Sequence, residues 1–273
     1  MPFDPLLAVL FGALVGLVLG LTGAGGGILA VPLLVFGLNL PMQSAAPVGL
    51  AAVGLAAGVG AFMGLREGIV RYRAAALIGL FGIVLAPCGV WLAQRLPNQP
   101  LLLGFAGLLL LTAWRMFKQS RQTAEEAAAE CRGQPCKIDP NIGRLLWTLP
   151  CARALALTGM LSGLFSGLLG VGGGFVIVPS LSRYTDLLPR SILATSMAVI
   201  ALVAMGGVAA AAVQGTVIWA VAWPFAAGAI LGLLVGRLLA GCIAGARLQQ
   251  AFAAVCLGVA ILFVLRGLGA SPV

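Results

Sequence analysis

The sequence predicts an all-α polytopic membrane protein built of two inverted repeats, each a glycine-tipped broken-helix hairpin followed by three transmembrane helices. Three observations carry this prediction. Of 273 residues, 61% are hydrophobic and 8% charged, and the mean hydropathy is +1.12. A soluble domain carries about a quarter charged residues, so a chain this apolar needs lipid as its solvent. Long apolar segments alternate with short charged ones, and a glycine-rich signature occurs twice at a fixed offset.

Six segments have the length of a bilayer crossing: 44–64, 74–94, 100–117, 191–213, 217–240 and 248–265. None shows the alternation of a β-barrel strand. The first apolar stretch, Leu6 to Leu21, has Asp4 as its one flanking charge and no basic leader region. It is therefore expected to belong to the mature fold rather than to a cleaved signal. The 39 glycines suit close helix packing and broken helices in a bilayer.

Residues 6–38 and 154–182 follow a common plan of apolar arm, glycine run and short second arm. The second arm has about a dozen residues or fewer, the length of a re-entrant piece. Gly20-Leu21-Thr22-Gly23-Ala24-Gly25-Gly26-Gly27 is matched by Gly167-Leu168-Leu169-Gly170-Val171-Gly172-Gly173-Gly174, each followed by Val-Pro at Pro32 and Pro179. The offset is 147, and Gly16 with Gly163, Gly68 with Gly215 and Gly89 with Gly236 keep it. Duplication explains this register. The chain divides into a first membrane repeat at 1–117, a polar cytoplasmic linker at 118–150 with one short helix, and a second membrane repeat at 151–273.

The 16 Lys and Arg residues orient the halves. If each glycine region crosses as one broken span, Arg95, Arg183, Arg190, Arg237 and Arg247 face one side and the other eleven face the opposite side. If each is a hairpin returning to its side of entry, only Arg95 and Arg266 stand apart from the other fourteen. The second split fits the positive-inside rule better. It gives inverted repeats, with the linker in the cytoplasm and both termini outside. The expected location is the cell inner membrane, as a multi-pass protein.

Hairpins inserted from opposite faces bring two glycine tips together. Each tip precedes a short helix, and a helix start offers unpaired N–H groups and partial positive charge. Glycine lets a ligand approach that backbone. Two such tips form an anion site without buried Arg or Lys. The candidate substrate-binding residues are Thr22, Gly25, Gly26, Gly27, Ser166, Gly172, Gly173, Gly174, Thr195 and Ser196. Asn39, Gln43 and Ser44 lie near the rim of the first hairpin. The competing reading is that the glycines serve close helix crossing and the hydroxyls bond their own backbone. Under the site reading, a bulky residue at Gly26 or Gly173 abolishes transport with protein levels near normal.

The chemistry that is missing narrows the function. The chain has no histidine, and its seven Asp and Glu residues fall at segment ends or in loops. Neither a catalytic set nor a metal or other cofactor is called for, and no mid-membrane proton relay is available. The net charge of +9 comes from residues between apolar segments, where it orients the chain and meets lipid head groups, not nucleic acid. Arg237 attracts anions at the cytoplasmic side or snorkels to the interface. Cys131, Cys136 and Cys151 lack a fourth metal ligand and read as free thiols. The expected partners are a small anionic substrate and the lipid bilayer. A homo-oligomer is compatible with the sequence but not specified by it.

The paired glycine motifs, each followed by Val-Pro, together with Ala194-Thr195-Ser196, resemble the sulfite exporter TauE/SafE family over residues 6–266. The resemblance implies a transporter of a small anion with an oxyanion head group, such as sulfite or an organosulfonate. Pro47-Val48-Gly49 departs from the small-hydroxyl stretch expected at the first-half equivalent of Ala194-Thr195-Ser196, and so does the cysteine-bearing linker from the family pattern. A channel-like anion conductor and a membrane assembly factor that transports nothing are the alternative functions.

Overall fold

The computed structural model describes residues 4–23, 25–121, 136, 148–185, 187–243 and 246–267. Apart from Cys136, the linker proper lies outside them, as does the helix expected there. The described chain is helical. α1 (Pro5–Thr22) starts on a proline, which loses no hydrogen bond at a first helical position, and stops at Gly23 with φ 73°. α2 (Gly26–Pro32) continues as a wide turn over Leu33–Gly37. α3 (Met42–Arg66), α4 (Tyr72–Arg95) and α5 (Asn98–Arg121) complete the first half.

The second half repeats this plan. α6 (Leu149–Leu169) is capped by Thr148, whose hydroxyl accepts from the Cys151 N–H, and it stops at Gly170 with φ 73°. α7 (Gly174–Tyr184) is followed by α8 (Pro189–Val213), α9 (Trp219–Ile243) and α10 (Ala246–Gly267). Gly68 and Gly215, both with positive φ, close the ends of α3 and α8 at the same offset as Gly23 and Gly170.

Among the described residues, six helices are long and apolar enough to cross a membrane: α1, α3, α4, α6, α8 and the Trp219–Leu239 part of α9. This corrects the sequence reading. It treated α1 and α6 as arms of re-entrant pieces; its segments 100–117 and 248–265 lie within the 24-residue α5 and the 22-residue α10. Both first arms run as unbroken helix up to their glycine turn, 18 and 21 residues long. Each is long enough at about 1.5 Å per residue to traverse most of the hydrocarbon. The second arms are short as expected, at Gly26–Gly37 and Gly174–Tyr184.

Glycine sets the packing. Along α1, Gly12, Gly16 and Gly20 lie against the backbone carbonyls of Phe225, Ala229 and Leu233 on α9. Along α6, Gly159, Gly163 and Gly167 lie against those of Ile78, Gly82 and Ala86 on α4. Every residue in the second set is 147 positions from its counterpart in the first. Contacts rise together along each pair, so α1 runs with α9 and α6 with α4. Removing the β-carbon lets backbones touch, the dispersion-driven packing available where lipid supplies no hydrophobic drive.

The centre is α3 against α8, with Gly54 on Ala204, Gly60 on Met197 and Gly64 on Ala194, so these two run in opposite directions. α5 packs on α10, with the Phe105 and Phe263 ring centroids 5.0 Å apart. Outward faces are apolar. Leu80, Val84 and Trp91 on α4, Leu157 and Leu161 on α6, and Leu231 and Leu238 on α9 are exposed at helical spacing, as a lipid-facing surface requires. Arg95 lies over the Trp91 ring at 4.1 Å and Arg66 over the Phe62 ring at 4.5 Å, pairings suited to the membrane boundary.

Candidate functional site

The two glycine turns meet. A β-carbon on Gly27 would overlap the carbonyl oxygen of Val171. Gly172 faces Ile200 of α8 and Val53 of α3, with 3.0 and 3.4 Å to their methyl carbons from a β-carbon built on it. Both residues sit near the middle of their helices. The outer shoulders are matched as well: Gly23 packs on Leu193 and Gly170 on Ala46. Each turn is thus seated on the start of the opposite half's central helix and reaches the other turn at mid-depth.

The local chemistry of the turns differs. In the first, the Thr22 hydroxyl donates to the Val18 carbonyl at 2.8 Å and accepts from the Gly25 N–H at 2.8 Å. Gly25 then caps α2. In the second, the place of Thr22 is taken by Leu169, and Gly170, Gly172 and Gly173 all have positive φ, a run that only glycine adopts without strain. Gly173 caps α7 and Gly174 opens it.

Three of the four candidate hydroxyl groups are committed to the protein. Besides Thr22, Ser196 Oγ donates to Leu193 O at 2.8 Å and lies 3.2 Å from Gly23 O, tying α8 to the first turn. Thr195 Oγ1 accepts from the Arg71 N–H at 3.1 Å and so secures the α3–α4 turn. The fourth, Ser166, is fully buried and its Oγ has no hydrogen-bond partner. Gln43, expected at the rim of the first hairpin, donates instead to Leu96 O at 3.0 Å at the end of α4.

The glycines themselves are tightly held. A β-carbon on Gly26 would stand 2.5 Å from Val15 O, and one on Gly173 would overlap Ser162 Oγ. A bulky residue at either position must displace α1 or α6, so the expectation of normal protein levels is corrected: these substitutions disturb the fold. At Gly173 the two demands coincide, since it both admits α6 and holds the turn at φ 71°.

The protein-family profile described as Sulfite exporter TauE/SafE matches residues 8–263. The chain belongs to the Sulfite exporter TauE/SafE family. Two proteins from different strains of Xylella fastidiosa, each described as a probable membrane transporter protein, are 30% and 31% identical to it, and each alignment covers 93% of both chains. YdhB of Bacillus subtilis, described in the same words, is 26% identical over 85% of this chain and 88% of its own. No solved structure matches.

Within this TauE/SafE protein the charged groups near the site are already engaged. Arg237 donates to Gly60 O at 3.0 Å and pairs with Glu67 at 3.1 Å, so its guanidinium is turned onto α3 rather than toward lipid head groups. Among the described residues no group of three or more His, Cys, Asp or Glu could hold a metal. Cys136 and Cys151 form a disulfide with Cα atoms 5.1 Å apart, which corrects their reading as free thiols; Cys131 lies outside the described residues. The Cys136 N–H also donates to Tyr184 O at the end of α7. Spacing alone could not have shown this pairing, since it depends on where α7 ends. Sequence reasoning also passed over Ser162, although Thr158, Ser162 and Ser166 recur every fourth residue and mark one face of α6.

Proposed function

We propose that this TauE/SafE protein carries a small anion across the cell inner membrane, with sulfite, a related sulfur oxyanion or an organosulfonate as cargo. The observation that carries the proposal is the contact between the two glycine turns, Gly27 on Val171, at mid-depth of α3 and α8. Each turn opens a short helix there, and helix starts favour anions where lysine or arginine would be costly. The candidate cradle is Thr22, Gly25, Gly26 and Gly27 on one side, Ser166, Gly172, Gly173 and Gly174 on the other, with Thr195 and Ser196 behind the first turn.

Helix directions support inverted repeats. α4 runs with α8 and against α3, and α9 turns back on α8 through residues 214–218. α9 therefore runs the way α3 does, and α1, which runs with α9, does too. Two successive helices with the same direction need a return between them, the role α2 would play. The same reasoning applies to α6, α7 and α8. Together with the Lys and Arg distribution, this supports a cytoplasmic linker.

Energetics favours export. A negative-inside potential drives each negative charge outward by about 2.3 kcal/mol per 100 mV. The membrane segments carry no carboxylate or histidine for proton coupling. The test is flux of labelled sulfite and thiosulfate in proteoliposomes. Saturable flux supports the carrier; a very fast, unsaturable one supports the channel reading, and none at all an assembly role.

A further inference from the structure

Resting on the carrier reading above, we infer that Cys136 and Cys151 form a redox clasp on the second hairpin. Joined, they lock α7 to α6 and slow transport; as two thiols they leave α7 free to move.

The clasp sits where the chain enters and leaves the hairpin. Cys151 is the third residue of α6, and its N–H is held by the Thr148 cap. Cys136 is bonded to it through sulfur and donates its own N–H at 3.1 Å to the carbonyl of Tyr184, the last residue of α7. It also pairs with Thr185 in a single parallel β-bridge. One residue thus joins the first turn of α6 to the exit of α7. Both cysteines are buried, so the link is seated within the protein. At its other end α7 begins on a turn in which Gly170, Gly172 and Gly173 all have positive φ, and Pro179 removes a backbone hydrogen bond inside it. Such a turn can serve as a hinge, and the clasp holds the far end of the lever.

The first hairpin is built differently at the same place. Gly37 lies 147 positions before Tyr184, and a β-carbon on it would overlap the Phe11 ring of α1. That arm is seated on its partner by permanent packing. The counterparts of Gly37 and Phe11 in the second half are Tyr184 and Thr158, and there the link through Cys136 ties the two arms. Cys88 is the only cysteine in residues 1–117, and Asp4 stands where the second half has Cys151. The second hairpin is therefore the one whose attachment can be made and broken.

Closure is exchange with a small-molecule disulfide such as oxidised glutathione. One cysteine thiolate attacks it and releases one thiol; the other then attacks the mixed disulfide and releases the second. The pair gives up two electrons and two protons, which leave on the two released thiols. On the inverted orientation the clasp faces the cytoplasm, where it stays open until such a disulfide accumulates.

The experiment measures labelled sulfite and thiosulfate flux in proteoliposomes for the wild type, Cys136→Ala and Cys151→Ala, each reduced and after oxidised glutathione. Sulfite itself cleaves disulfides, so alkylation and mass analysis give the dithiol fraction after each run. Hydrogen exchange over Gly174–Tyr184 in detergent is the second readout. Closure is expected to lower maximal flux by about tenfold or more with KM within about twofold, as when a conformational step limits turnover. Exchange over α7 slows by about tenfold or more while that over α2 is unchanged. Both alanine variants keep the flux of the reduced wild type and ignore oxidised glutathione. A closed form with higher Tm and undiminished flux is a structural staple and overturns the clasp, as does a response that persists in Cys136→Ala. Equal exchange over α7 in the two states overturns it whether or not flux is seen. Wild-type vesicles that carry neither anion in either state overturn the carrier reading, and the control of flux falls with it.

Discussion

Gly27 and Val171, one from each half of the chain, are in direct backbone contact: the space a β-carbon would take on Gly27 is held by the Val171 carbonyl oxygen. This contact joins the two glycine turns and makes them one structure. Gly27→Ala is expected to lower Tm and yield, because the overlap is with backbone, which cannot rotate away. A cost of about 1–3 kcal/mol or more fits overpacking of this kind. Gly104, with open space around its β-carbon position, is the control: Gly104→Ala leaves Tm unchanged. Thermal unfolding in detergent reads both.

The glycine seams between α1 and α9 and between α6 and α4 have equivalent contacts, so equivalent damage should follow from equivalent substitutions. A β-carbon on Gly16 overlaps Ala229 O, and one on Gly163 overlaps Gly82 O. Gly16→Leu and Gly163→Leu are each expected to prevent accumulation of folded protein. Size-exclusion profiles of the solubilised variants check this, and a monodisperse Gly163→Leu protein would count against the seam.

Arg237 makes two bonds of unequal value. Its contact with Gly60 O lies within the helix packing, while Glu67 is half exposed. Exposed ion pairs contribute about 0–1 kcal/mol, and bonds from a charged donor to a buried acceptor about 1.5–3 kcal/mol. Arg237→Gln should therefore lower stability more than Glu67→Gln. Raising the salt concentration should weaken only the Glu67 contribution. Equal losses in the two variants would contradict this division.

The Cys136–Cys151 disulfide and the positive-inside distribution make opposite demands. On the proposed inverted orientation, fourteen of 16 basic residues lie on the linker's side, in the cytoplasm, where thiols stay reduced. The pair is therefore expected to be mostly dithiol in growing cells and to close on oxidation. Acid-quenched alkylation followed by mass analysis measures the fraction. A fully oxidised pair would place the linker outside and reverse the orientation. In purified protein, closing this loop across a sequence separation of 15 should raise stability by about 3 kcal/mol on the chain-entropy account.

Much of the architecture could be read before any coordinates. The offset of 147 in the glycine pattern reappears as matched contacts, Gly12 on Phe225 and Gly159 on Ile78, because the residues that let backbones touch are the ones that define the repeat. The stretch Leu6 to Leu21 matches α1 to within a residue at each end, but a glycine run reads as a break wherever it falls, so this arm was not counted as a crossing. Ser162 and Ser166 stayed hidden for the opposite reason. Comparison of the repeats searches for likeness, and these serines stand where the first half has Val15 and Leu19. Thr195 and Ser196 were found by their residue type, but their hydroxyls are used to hold the Arg71 N–H and the first turn.

The central claim is that paired glycine turns hold a negative solute in mid-membrane without a charged side chain. Its most direct test is sulfite flux in proteoliposomes under an imposed potassium-diffusion potential. The account predicts saturable, electrogenic movement toward the positive side, with the equilibrium gradient changing about fiftyfold per charge for each 100 mV. Flux that ignores the potential, or vesicles no more permeable than protein-free ones, would contradict it.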